Sequence, residues 1–93
     1  MTTTPYARDL AWLAAHREHL DLYDQALIDV AWADVTLGRV ASLPTALEDL
    51  AADTLRGARS VVTDGNDPSK RLQRVRDLYR LATLVRDEPD ASS

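Results

Sequence analysis

Cysteine and phenylalanine are missing from this 93-residue chain, and lysine occurs once, as Lys70. Without cysteine there can be no disulfide and no thiolate metal site. No apolar run reaches the roughly 20 residues that a membrane span requires. Glycine is rare, at three residues, and proline occurs four times, so the chain offers few points at which to break a helix. Aromatic residues make up 5% of the sequence and do not interleave with the basic ones, and the net charge is −4, which argues against nucleic acid as a partner. The opening Met-Thr-Thr-Thr-Pro lacks the basic and then apolar layout of a secretory signal. A reduced, cytoplasmic setting with no membrane association is the expectation.

What is present is alanine, leucine, valine, aspartate and arginine. The hydrophobic fraction of 45% is rich in good helix formers, which points to an all-α fold. Ten of the eleven basic residues are arginine, a bias that with the Ala, Val and Asp content suggests a GC-rich genome, such as that of a bacterium or its phage. Charge is unevenly spread. Residues 1–55 hold nine acids against Arg8, Arg17 and Arg39, whereas Arg56 to Arg86 holds eight cations against Asp64, Asp67 and Asp77.

Three helices are predicted, over about 5–37, 45–63 and 68–87, within one domain over 5–88, with disordered ends at 1–4 and 89–93. Thr4-Pro5 reads as a cap and first helical residue, and Gly38 as the left-handed residue that ends the first helix. Thr45-Ala46-Leu47-Glu48 fits a capping box, and Asp67-Pro68 starts the last helix. The weak point is His19-Leu20-Asp21. If Asp21 caps a new helix, the first helix breaks near residue 20 and the chain forms four short helices instead.

A first helix of that length would extend roughly 50 Å, against roughly 30 Å for each of the others. Its early part carries one stripe, Tyr6, Leu10, Leu13, His16 and Leu20. Its later part carries two, Leu27, Val30 and Leu37 on one side and Ile28, Trp32 and Val35 on the other, which would need two neighbours. The short helices should cover only the later part. Residues 5–17 would then project, presenting Tyr6, Leu10, Leu13 and Trp12 to a partner, and the spacing 13, 16, 20, 23, 27, 30, 34, 37 suits a coiled coil. Leu81 and Leu84 would add a strip on the last helix, opposite an inner face of Leu72, Val75, Leu78, Tyr79, Ala82 and Val85.

Signs of chemistry are few. His16 and His19 flank Arg17-Glu18 without a further ligand at metal-binding spacing, so they read as surface or seam residues. No nucleophile elbow and no phosphate-cradling glycine loop occurs, and no cofactor is expected. Asp34 falls in the apolar seam and should meet an arginine, one of the last helix, or stay at the rim. The segment Arg17-Glu18-His19-Leu20-Asp21-Leu22-Tyr23-Asp24-Gln25-Ala26-Leu27-Ile28 resembles the first-helix motif of the small helical chorismate mutases. That resemblance implies a dimer of three-helix chains in which Arg17 would hold a substrate carboxylate. The second arginine expected on that helix falls at Asp34, and the expected lysine near Thr45, so the cationic clamp is not reproduced.

The expectation is therefore a non-enzymatic interaction module. It would bind another protein's helix, or a second copy of itself, through Tyr6, Leu10, Trp12, Leu13, His16, Arg17 and Leu20, with Leu81 and Leu84 beside them. An accessory or inhibitory protein acting on a host protein is one such role. A small antitoxin-like regulator using the arginines of the last helix is an alternative, as is a chorismate-mutase-like enzyme.

Overall fold

A computed structural model of the chain describes residues 7–87. Among them are four α-helices and no strand: α1, Ala7–His16; α2, Leu22–Thr36; α3, Leu43–Thr63; and α4, Ser69–Asp87. A single 3₁₀ turn, Arg17–His19, separates α1 from α2. The first helix is thus broken where Asp21 stands, and the continuous three-helix arrangement is replaced by the four-helix one. Asp21 is extended, and its carboxylate accepts the Asp24 N–H at 2.7 Å while its carbonyl accepts from Gln25. This N-cap compensates for much of the hydrogen bonding lost in breaking the helix.

The break is rewarded by packing. With α1 folded back, Trp12 is 5% exposed and joins the core, and Leu13 and Leu20 pack partly against it. Burying an indole removes roughly 150–250 Å² from water, on the order of 4 kcal/mol at about 25 cal/mol per Å². The projecting segment expected at residues 5–17 is therefore not seen over residues 7–17. Tyr6 and Thr4-Pro5, with both tails, lie outside the described residues.

The rest of the core comes from one face of α2 (Leu27, Ile28, Ala31, Val35), from Leu43, Ala46, Leu47 and Ala51 of α3, and from Leu78, Leu81, Ala82 and Val85 of α4. Helices α3 and α4 form an antiparallel hairpin, tied at one end by the Arg86–Glu48 ion pair. The inner face of α4 is rotated from expectation: Leu81 is fully buried, whereas Leu72 and Tyr79 are exposed. Leu81 turns inward because α2 lies against that side of α4 and supplies a second neighbour.

The C-termini of α2 and α3 each close on a glycine, as expected for Gly38. Gly38 and Gly65 have φ of 77° and 79°, and each is followed by the paired hydrogen bonds that satisfy the last carbonyls of α2 and α3. The start of α3 differs from the expected capping box. It begins at Leu43, with Pro44 in the first turn, and Glu48 serves the ion pair with Arg86 instead.

Candidate functional site

The fold-back of α1 is held by polar contacts as well as by Trp12. Asp9, 5% exposed, accepts the Leu43 N–H at 2.8 Å and so supplies the cap that Ser42 does not give α3. The negative charge sits at the positive end of that helix. Arg8 donates to the Arg86 carbonyl at 3.0 Å. His16 is half-buried with its ring 5.1 Å from that of Trp12, and His19 is exposed. Of the residues expected to meet a partner, Trp12 and Leu81 are thus spent on the core. Leu13 and Leu20 are partly spent, and Leu10 and Leu84 remain exposed.

Arg17 also has a structural task. It makes a two-pronged contact with Asp29 of α2 at 2.7 and 3.1 Å, which bridges the break, and this hydrogen bond and the Asp29 charge hold the guanidinium above its ordinary pKa. Asp34 meets Arg39 at 3.5 Å rather than an arginine of the last helix. Its place is taken by Asp24, which is 5% exposed and bonds Arg80 of α4 at 2.8 Å through Oδ2. That hydrogen bond raises the Arg80 pKa against the opposing effect of burial, with further help from the charges of Asp24, Asp77 and Asp21.

More uncovered apolar surface lies on α2 than on α1, where Leu10 alone of the large apolar residues is exposed among those described. Both α3 and α4 pack against the same side of α2, so Leu27 of one predicted stripe is buried with Ile28 and Val35 of the other, while Val30 and Leu37 acquire no neighbours. On the outside stand Leu22, Val30 and Leu37, exposed to 83, 55 and 66%. Ala26 and Ala33, also exposed, lie between them. At 3.6 residues per turn these five positions fall within an arc of about 80°, on the side away from Ile28 and Ala31. The two flanking acids, Asp29 and Asp34, are each already paired with an arginine. Val30 and Leu37 belong to the predicted stripe with Leu27, and Leu22 belongs to neither predicted stripe. Once Asp21 is taken as a cap, the spacing 22, 26, 30, 33, 37 is visible in the sequence.

A second surface lies at the far end of the hairpin. No residue between Ala58 and Leu78 is buried, because α2 begins beside the middle of α4 and covers nothing beyond it. Tyr23, in the first turn of α2, lines an open depression with Ser69, Lys70, Gln73 and Arg74. Lys70 and Arg74 also line the adjoining one, with Val61, Asn66, Asp67 and Arg71. The two depressions share Lys70 and Arg74, and the first begins beside the start of α2 at Tyr23. On another face of the hairpin Leu55, Ala58, Val62, Pro68 and Leu72 form an apolar cleft.

The cations follow this geometry. Arg17, Arg39, Arg56, Arg80 and Arg86 all have carboxylate partners. Arg59, Lys70, Arg71, Arg74 and Arg76 have none among the described residues, and all five lie on the bare part of the hairpin. Residues 56–76 carry six cations against Asp64 and Asp67, which leaves the remainder of the chain with five cations against thirteen acids.

In the cavity between α1 and the hairpin, lined by Arg8, Asp9, Ser42, Pro44, Val85 and Arg86, the Asp9 carboxylate is committed to Leu43 and the Ser42 hydroxyl to Thr45. Among the described residues no three His, Asp or Glu side chains are grouped to hold a metal, and no helix is long and apolar enough to cross a membrane. Comparison with protein-family profiles, with curated proteins and with solved structures gave no match.

Proposed function

We propose that the protein is a non-enzymatic interaction module that docks a helix along the outer face of α2. The observation that carries this reading is the exposure of Leu22, Val30 and Leu37 on one side of a helix whose opposite side is already fully packed. Single exposed leucines are ordinary on any protein; an aligned set running the length of a helix is not. Docking there would act by occupying another protein's helix, as an accessory or inhibitory factor does. The reading moves the partner-binding surface from the first segment to the second.

The test is affinity capture from the source organism's lysate, with captured proteins identified by mass spectrometry. A protein captured by the wild type and by Leu10→Glu, and lost with Val30→Glu, supports docking on α2. Loss with Leu10→Glu and not with Val30→Glu would return the site to α1.

A second reading rests on the five unpaired cations of the hairpin: a regulator that recognises an acidic protein segment. An intramolecular contact of the same kind supports this reading, since Asp24 of α2 accepts from Arg80 of α4. Lys70 and Arg74 stand further along the same side of α4, past the end of α2. The net charge of −4 and the absence of aromatic stacking residues from the depressions, apart from Tyr23, favour protein over nucleic acid.

A further inference from the structure

We infer that Arg71 is the residue that reads the acidic segment, its guanidinium laid across the hairpin to receive a carboxylate, and that Gly57 leaves the space in which it lies. The inference rests on the second reading above, the acidic protein partner, and names the contact and the group it takes.

Two helices build the contact. Arg71 belongs to the first turn of α4, and its guanidinium reaches over to α3. A methyl group at Gly57 would stand 3.1 Å from Nη1 and 3.9 Å from Cζ, so any side chain there contests the place that the guanidinium holds. From that place Arg71 lines one depression with Val61, Asn66, Asp67, Lys70 and Arg74. Three cations thus meet at one concavity, and none has a carboxylate partner among the described residues. Asp67, the acid among these six, already accepts from the N–H and the hydroxyl of Ser69.

Two of these features run against local stability. A glycine inside a helix weakens it. Lys70 and Arg71 place two cations at the positive end of α4, whose first turn carries no acid. Local choices that oppose the fold and meet at one place mark a surface kept for a ligand, here an anion.

The class of anion follows from where the charges stand. A phosphoryl group would bind the amides at the start of α4, but Asp67 takes the Ser69 N–H at 3.0 Å and sets a negative charge there. The cations are instead spread along the helix, with Lys70 and Arg74 one turn apart, about 6 Å. Carboxylates one turn apart on a partner helix match that spacing. The planar guanidinium of Arg71 takes one of them through two parallel hydrogen bonds, which a lysine ammonium cannot do.

The probe is a fluorescein-labelled helical peptide with glutamates one turn apart, titrated at fixed ionic strength and followed by anisotropy. Arg71→Lys keeps the charge and removes the fork, and is expected to weaken binding about 10-fold. Gly57→Ala is expected to weaken it by a similar factor without lowering the melting temperature, because the methyl group displaces the guanidinium while helix propensity improves. Arg56→Lys, at a cation paired with Asp53, should bind as the wild type does. Circular dichroism checks each variant, and because Arg71 is exposed, Arg71→Lys carries the test if Gly57→Ala does not fold. Full affinity in Arg71→Lys would overturn the inference; loss in Lys70→Glu with Arg74→Glu would then leave the acidic-partner reading standing. Full affinity in a folded Gly57→Ala would overturn the role of Gly57. A wild type that binds no acidic peptide would overturn the acidic-partner reading as well. Tighter binding of a phosphoserine peptide or of duplex DNA through Arg71 would overturn the carboxylate as the group received.

Discussion

The carboxylate of Asp9 caps the amide of Leu43, 34 residues further along the chain, at 2.8 Å. This contact explains why α1 folds back rather than projecting: the N-terminus of α3 lacks a side-chain cap of its own, and α1 brings one together with Trp12.

Replacing Asp9 with alanine leaves a buried helix N-terminus without an acceptor. The expected cost is about 1–2 kcal/mol, in the range of strong N-caps. In a Trp32→Phe background, the emission of Trp12 should move to longer wavelength under milder denaturant than global unfolding requires. Loss of the cap with no change in either measurement would show that Trp12 alone docks α1.

Arg80→Met removes the counter-charge of a carboxylate that is almost fully buried, and Asp24 Oδ1 has no partner among the described residues. Removal of one member of a buried pair costs about 3–5 kcal/mol, and because Arg80 is itself half-exposed about 2 kcal/mol is expected. Combining Arg80→Met with Asp24→Leu should recover most of that loss. Chemical denaturation of the two variants and the double variant checks this as a cycle.

Gly57 lies within α3 facing Arg71, and a methyl group there would stand 3.1 Å from Nη1 of that arginine. The guanidinium is the exposed end of a flexible side chain and can move aside. Gly57→Ala should therefore stabilise the protein by about 0.5–1 kcal/mol through helix propensity. A lower melting temperature would mean that Arg71 is held in place.

Acid should weaken the start of α4. Asp67 accepts hydrogen bonds from the hydroxyl and the N–H of Ser69, and these hold its pKa below the ordinary carboxylate value. A group whose folded pKa is depressed contributes stability that is complete above its unfolded value, about 3.9, and is lost as pH falls through the folded one. The melting temperature of the wild type should exceed that of Asp67→Ala at neutral pH, and the difference should close below about pH 4. A constant difference across that range would assign the effect to helix propensity.

For the acidic-partner reading, Lys70→Glu with Arg74→Glu should weaken binding of a glutamate-rich helical peptide at least 10-fold by fluorescence anisotropy. Arg56→Glu, at a cation already paired with Asp53, should have little effect. Tighter binding of duplex DNA than of the peptide would reject the protein partner.

Local signals were legible where a residue acts on its own neighbours. Gly38 and Asp67-Pro68 end or start helices through hydrogen bonds spanning a few residues, and Asp21 marked the break as an alternative. The α3 cap was not legible, since Thr45 and Glu48 look like a capping box until Asp9 and Arg86 arrive from elsewhere. Leu81 was misplaced for a similar reason: its side of α4 looks spare until α2 is laid against it. Trp12 looked available because a continuous helix would have carried it away from the bundle.

The sequence by itself determined the helical composition, the ends of most helices and the excess of apolar surface on the first 37 residues. Periodicity and capping are local properties, readable within a turn or two. Only the tertiary structure decided where the excess would remain. Folding back at Asp21 buries Trp12 and gives α3 its cap, while α3 and α4 crowd one side of α2. The stripe from Leu22 to Leu37 is left facing water because no element remains to cover it.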